Sequence, residues 1–420
     1  MAFSLGFHII FAEIGIAMPL LMVLAEWRWH RTGDATYLRL AKRWAKGAAV
    51  LFAVGAVSGT VLSFELGLLW PNFMRFAGPI IGIPFSLEGF AFFTEAIFLG
   101  VYLYGWEKIS PRAHLTAGAI VALSGAASAV FVVMVNAWMN TPTGLTVLNG
   151  QIVEIDPIAG MLNPSTVQQA LHMLIAAYAA TALAVAGLHA AILRKKGDAG
   201  FHRRAMMLAL AVGVPAALLQ PISGDLSAGV VARWQPIKLA ALEGHFETEA
   251  GAPLRIGGIP DANAGVTRYA ISIPRGLSLL AFHDPNAVVI GLKKFAREYW
   301  PPLIPVHIGF QLMVGLGTIM ALVSLWVAIT YFRKRDIVAN RHLLLALAVI
   351  TPFGFIATEA GWTVTEVGRQ PWVVVGLVKT ADAVTPMTGL VYPMVLFTLL
   401  YLGLGAVVVA VMRSIVGETT

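Results

Sequence analysis

Residues 84–106 read PFSLEGFAFFTEAIFLGVYLYGW, an apolar run long enough to cross a bilayer that nevertheless carries two carboxylates, Glu88 and Glu95. About 20 consecutive apolar residues span the hydrocarbon of a membrane. A carboxylate placed there costs roughly 3 kcal/mol or more on insertion scales. Glu88 and Glu95 stand nearly two helical turns apart, so on a helix both point the same way, about 10 Å from each other along the axis. That spacing suits a stepwise proton path, or one cofactor contact plus one relay. The plainer alternative is a pair of acids at the membrane surface, satisfied by loop groups. Glu13, Glu359, His8 and His172 lie in stretches just as apolar. Such groups normally face a bundle interior, where they bind a cofactor, pass protons or line an ion path.

Composition agrees with a membrane protein. Hydrophobic residues make up 58% and charged residues 12%, against the ~25% charged of soluble domains. Cysteine is absent. That excludes Cys-ligated iron–sulfur clusters, covalently attached c-type heme, disulfides and thiol catalysis. A redox centre here must use His, Met or carboxylate ligands. The net charge of +7 needs no nucleic-acid partner, because most basic residues fall in loops. The N-terminal MAFSLGFHIIFAEIG has no basic n-region and no small-residue cleavage site, so it reads as a retained first span.

Nine apolar stretches are expected as spans, near 4–25, 47–69, 84–105, 115–138, 168–193, 204–222, 303–331, 343–363 and 385–412. The fold class is therefore an all-α integral membrane bundle of about nine transmembrane helices with one long extracytoplasmic loop. Eighteen basic residues share one side: Arg28, Arg31, Arg39, Lys42, Arg43, Lys46, Lys108, Arg112, Arg194, Lys195, Lys196, Arg203, Arg204, Arg333, Lys334, Arg335, Arg341 and Arg413. The short loops opposite carry Arg75, Arg369 and Lys379. The positive-inside rule then places the N-terminus outside and the C-terminus in the cytoplasm of a bacterial inner membrane. Residues 223–300 are Gly/Pro-punctuated and mixed in charge, too long for an idle connection. The chain divides into helices one to six (1–222), that loop (223–300) and helices seven to nine (301–420). Neither an internal repeat nor a broken helix is read in the sequence.

His172, opening the fifth span, and Met313, in the seventh, are a possible axial pair for low-spin heme. Packing is the commoner use of a Met in an apolar helix. His8 and Glu359 can each serve as fifth ligand to a high-spin heme, or as buried polar groups bonded to a neighbouring helix. In GRQPW (368–372), Arg369 can form a bidentate contact with a heme propionate or a quinone oxygen. Trp372 is a further candidate cofactor contact in the same motif, the commoner role for a Trp there being an ordinary interfacial anchor.

Several strings together resemble subunit I of the cytochrome bd quinol oxidases: FHIIFAEIGIAMPL, PFSLEGFAFFTEAIFLGVYLYGW, VMVNAWMNTPTG, PIKLAALEGHFETE, HDPNAVVIGL and EAGWTVTEVGRQPW. They run in order through essentially the whole chain. The loop lacks the long C-terminal insertion of some members, so the resemblance is to the short-loop type, and closely to a cyanide-insensitive subgroup. It implies a copper-free enzyme that oxidises quinol outside and reduces oxygen to water with cytoplasmic protons. It implies a low-spin heme b, a high-spin heme b, and a heme d or a further heme b. It also implies subunit II as partner and a small single-span accessory subunit. Carried over by motif, His172 and Met313 match the low-spin heme ligands. His8 and Glu359 match the axial ligands of the two high-spin hemes, the iron that each serves being left open. Glu88 and Glu95 match the acids beside that pair, with Glu95 the proton-path candidate and Ser128 and Asn136 on the same path. Lys238 and Glu243 match a quinol-binding pair. On a helix these two diverge by about 140°, so they line one pocket only if the segment bends or wraps the ligand. Two departures stand out: Gln311 where some members have arginine, and Ala96 where some have serine.

Two other readings compete on the residues alone. An ion-coupled transporter would bind substrate or cation with its membrane carboxylates and tends to show inverted repeats and broken helices. A diheme quinone dehydrogenase subunit would have no oxygen site.

Overall fold

The computed structural model describes residues 1–148, 151–196 and 200–417. Among them, nine crossings are made by helices long and apolar enough to span a membrane. In chain order the helices are α1 (Ala2–Thr32), α2 (Ala35–Leu69), α3 (Pro71–Tyr104), α4 (Pro111–Asn140), the short α5 (Pro157–Met161), α6 (Thr166–Lys196) and α7 (Gly200–Trp234). After them come α8 (Pro236–Leu242), α9 (Gly276–Phe282), α10 (Leu303–Phe332), α11 (Arg341–Val349), α12 (Phe353–Val367), α13 (Thr380–Ala383) and α14 (Val391–Gly417). Helix starts follow local chemistry. Asp34 accepts from the Thr36 N–H, Ser110 caps α4 ahead of Pro111, and Asn340 accepts from the N–H groups of His342 and Leu343. These caps satisfy donors that a helix leaves open at its first turn.

The eighth crossing is built from α11 and α12 together, which corrects the expectation of unbroken spans. Pro352 has no N–H to donate into the α11 ladder. The Thr351 hydroxyl donates instead to the Ala348 carbonyl at 2.8 Å. Hydropathy could not register this break, because every residue at it is compatible with lipid. α3 also starts earlier than hydropathy suggested, at Pro71, immediately after Trp70. Phe90 on α3 is 73% exposed, and Phe93 and Ile97 stand out with it. Outward apolar side chains are what a lipid- or partner-facing surface requires.

Small residues set how closely the helices approach. A methyl on Gly187 would meet the Leu347 carbonyl at 2.4 Å, and one on Gly354 would meet Ala180 Cα at 2.4 Å. These glycines let α11 and α12 lie directly on α6, the usual device where lipid gives no hydrophobic drive for helices to pair. α6 and α10 each pack against both α7 and α12. This sets α6 and α10 across the diagonal of a four-helix bundle. α1, α2, α3 and α4 form the neighbouring group, with α1 also touching α6 and α12.

The sixth crossing continues to Trp234, past the expected end at 222. The polar residues Asp225 and Arg233 belong to its projecting end, where hydropathy had already fallen. The chain then makes α8 and a nested set of short antiparallel pairs. β3 (Glu249–Ala250) pairs with β8 (Val288–Val289), β4 (Leu254–Ile256) with β7 (Ile271–Ile273), and β5 (Ile259–Asp261) with β6 (Val266–Arg268). The loop thus folds back on itself over the bundle end near the start of α10. Earlier in the chain, β1 (Leu145–Leu148) pairs with β2 (Gln151–Ile155). Later, β9 (Trp372–Val374) pairs with β10 (Val378–Lys379).

Candidate functional site

His8 lies on α1 facing α2. Its Nδ1 is 3.0 Å from Ser58 Oγ, and that hydroxyl donates to the Val54 carbonyl at 2.9 Å. Ser58 therefore accepts from the ring, which leaves Nε2 as the nitrogen with a lone pair. His172 on α6 repeats the pattern. Its Nδ1 is 2.9 Å from Ser223 Oγ, which donates to the Gln220 carbonyl at 2.9 Å. The Gln220 amide nitrogen lies 3.1 Å from His172 Nε2. A histidine whose Nδ1–H is fixed by a partner, presenting Nε2, is the arrangement that metal-ligating histidines normally have.

Each of the four expected axial residues also lies against a glycine of a neighbouring helix. A methyl on Gly59 would come 3.0 Å from His8 Cε1, and one on Gly224 would come 3.8 Å from His172 Cε1. On Gly361 it would come 3.0 Å from Met313 Sδ, and on Gly6 it would come 3.2 Å from Glu359 Oε2. A Cβ at these points would fill the space beside the side chain. Glu359 thus touches α1 two residues from His8, so the two stand at similar height. Its Oε1 is buried without a partner. Glu13, further along α1, is buried and lies within electrostatic reach of Glu359. With Nδ1-anchored imidazoles, a thioether and an orphaned carboxyl, the donor set fits heme iron.

Glu88 and Glu95 both face α4, as their spacing predicted. Ser128 Oγ donates to Glu88 Oε1 at 3.2 Å. Glu95 is buried, and a methyl on Gly125 would lie 3.2 Å from its Oε1. Ser128 therefore meets Glu88 rather than Glu95. Asn136 leaves the expected row altogether: its Nδ2 donates to Glu366 Oε1 at 2.5 Å. Asn136 sits about 12 Å further along α4, toward its C-terminus, than Ser128, too far to share a hydrogen bond with that pair.

Glu366, absent from the sequence-derived site, is the centre of a second polar group. Arg369 is buried and grips Glu366 with both terminal nitrogens. Asn140 Nδ2 donates to Asn136 Oδ1 at 3.2 Å, and Lys238 Nζ donates to Asn140 Oδ1. A continuous donor row thus runs from α8 through α4 to α12. The signal for Glu366 was available in TEVGRQ, an acid in the last turn of a helix three residues before an arginine just past its end. Trp372 stacks on Tyr299 with ring centroids 5.8 Å apart, and Lys379 lies over it.

Lys238 and Glu243 do not form an exposed ion pair. They are 5% and 1% exposed. α8 stays helical to Leu242 with Glu243 as its cap, so the two side chains diverge. Lys238 turns to α4 and α12. Glu243 turns toward Arg255, with both its carboxyl oxygens unpartnered. Burial pushes Glu243 up to about 8, against the pull of Arg255. Burial, with Arg369 nearby, lowers Lys238 to about 7. His245 is lowered to about 4 by burial and by Arg255, whose NH1 is 3.1 Å from its Nδ1.

An all-helical membrane bundle that sets half-buried imidazole, thioether and carboxyl groups between its helices points to a class: membrane proteins that move protons and electrons. The family model for cytochrome bd terminal oxidase subunit I matches residues 1–420, and the chain belongs to that family. It is 40% identical to a Bacillus subtilis (strain 168) protein provisionally named cytochrome bd menaquinol oxidase subunit I, over 97% of this chain and 93% of that one. It is 32% identical to the cytochrome bd ubiquinol oxidase subunit 1 of the same organism, over 96% and 89%. Among solved structures, the bd oxidase from Geobacillus thermodenitrificans superimposes with a TM-score of 0.93 at 39% identity, covering 100% of this chain and 97% of that one.

Proposed function

We infer that this chain is the heme-carrying subunit of a bacterial membrane oxidase that oxidises quinol and reduces oxygen to water. Its family is one of terminal oxidases, and its relatives are named as menaquinol and ubiquinol oxidases. Subunit II is its partner, with a small single-span accessory subunit proposed beside it. The observation that carries the site reading is the shared anchoring of His8 and His172, each with Nδ1 held by a serine of the neighbouring helix, Nε2 being faced in His172 by the Gln220 amide.

We assign His172 and Met313, on the diagonal helices α6 and α10, as the residues that hold a low-spin heme b. His8 and an α12 carboxylate would hold a high-spin heme b and a heme d or further heme b. Heme bound there supplies one-electron transfer and the place where oxygen is reduced. Glu359 is the favoured α12 carboxylate, since its Oε1 is orphaned. A second reading gives that role to Glu366, because it is the acid that Arg369 grips. Comparing Glu359→Ala with Glu366→Ala for loss of high-spin heme bands decides between them.

The remaining work falls to the chain's own side chains. Glu95, with the Glu88–Ser128 pair outward of it, holds protons on the way from the cytoplasm, where hydrocarbon offers no other carrier. Residues 223–300 serve as the quinol loop. Glu243 takes the hydroxyl proton of quinol, and Lys238, turned to the other side of α8, balances that charge from the α4–α12 polar row rather than from the same pocket. Arg369 fixes the α12 end, and Trp372 lies between loop and bundle. The concentration of basic residues in one set of short loops supports an orientation with the N-terminus outside and the C-terminus in the cytoplasm. Oxygen uptake by the purified complex on adding a quinol analogue tests the function. Uptake that depends on quinol is expected, and none in a complex with full heme content would refute it.

A further inference from the structure

α10 carries two polar side chains at its outer end, His307 and Gln311, one helical turn apart and just ahead of Met313. His307 is fully buried. Its Nδ1 lies 2.6 Å from the Leu242 carbonyl and its Nε2 lies 3.1 Å from the Gly257 carbonyl. Gln311 closes on the same segment. Its Oε1 accepts from the Gly257 N–H at 2.9 Å, and its Nε2 donates to the Arg255 carbonyl at 3.1 Å. Two distant pieces of the loop are thereby tied to one turn of a helix. One ends immediately before Glu243. The other carries Arg255, the cation that faces Glu243 and His245. Gly244 completes the closure, because its left-handed φ of +57 suits glycine and a methyl there would press Thr267 Oγ1 at 2.4 Å.

We propose that His307 and Gln311 are positioning residues for quinol oxidation, a clamp on α10 that fixes Glu243 and Arg255 relative to the helix bearing Met313. The proposal rests on reading residues 223–300 as the quinol loop. A loop held by backbone carbonyls and one amide can keep its register only while both clamp side chains stay. Gln311 is suited to the task because its amide both donates and accepts, its Oε1 taking the Gly257 N–H while its Nε2 gives to the Arg255 carbonyl.

The test uses the whole complex carrying Gln311→Leu, His307→Leu or Gln311→Glu, with Glu243→Ala in parallel. Steady-state quinol KM and kcat are measured beside the low-spin heme spectrum. Oxygen uptake driven by ascorbate and a small redox mediator is measured as well, which bypasses the quinol site. Losing these buried hydrogen bonds, two of them in Gln311→Leu, should raise quinol KM about tenfold in the leucine variants. Heme spectrum and mediator-driven uptake should stay at wild-type levels. Gln311→Glu keeps the acceptor for Gly257 and should fall between. Should His307→Leu fail to assemble, the two Gln311 variants decide. Unchanged quinol KM and kcat in Gln311→Leu, with Glu243→Ala abolishing quinol turnover, would overturn the clamp alone. Unimpaired quinol turnover in Glu243→Ala would overturn the loop reading and the clamp with it.

Discussion

Asn140→Leu removes one acceptor of similar size from the centre of the polar row. Lys238 is 5% exposed, its ammonium donates to Asn140 Oδ1, and its next acceptor is the Thr365 carbonyl at 3.5 Å. The fall of Lys238 from 10.5 to about 7 corresponds to about 5 kcal/mol in favour of the neutral amine. A hydrogen bond to a charged group contributes roughly 1.5–3 kcal/mol. Its loss moves the lysine a further one to two pH units down. A lowered lysine keeps its charge only below its titration point. At pH 7 the wild-type ammonium is therefore about half populated, and in Asn140→Leu it is almost absent. Quinol kcat/KM at pH 7 should drop roughly tenfold or more, with partial recovery near pH 6. Mediator-driven oxygen uptake and heme spectra should not change. The assay is the pH profile of quinol turnover in the purified complex. If the profiles of wild type and Asn140→Leu coincide, Lys238 does not act through its charge and the row has no part in quinol oxidation.

Other outcomes follow from the same geometry. His172→Ala should remove the low-spin heme signal while the chain still inserts, and Met313→Leu should weaken or shift it, both read by difference spectroscopy. Glu95→Gln keeps shape and loses titration. Oxidase turnover should slow while quinol KM holds, and wild-type rates would count against the relay. Burial holds Glu243 near 8, and only the ionised carboxylate accepts a proton. The Glu243 step should therefore quicken as pH rises toward 8 and lose that dependence in Glu243→Gln, measured with mediator-driven uptake as the control. Reporter fusions after Arg335 and within 223–300 should report opposite sides of the membrane.

The crossings were legible in the sequence because hydropathy alone sets them, and His8, His172 and the Glu88/Glu95 spacing were legible because polar groups stand out in apolar runs. Helix ends were not. α7 runs on to Trp234 since a helix leaving the membrane loses hydropathy before it loses hydrogen bonds. The break at Pro352 was hidden because a Thr–Pro step in lipid carries no hydropathic mark. Asn136 was assigned to the wrong row, because a spacing of eight on α4 gives a face but not the helix it meets. Glu366 was not singled out, although its arginine partner stood three residues on. Lys238 and Glu243 were found together as a motif, yet their separation into two polar groups depends on α4, α12 and the loop strands, which are distant in the chain.

A reduced-minus-oxidised spectrum of the purified protein tests the central claim most directly. The account predicts low-spin heme bands together with high-spin bands. It also predicts that the low-spin bands alone disappear in His172→Ala. A protein with no heme bands, or with low-spin bands only, would contradict it.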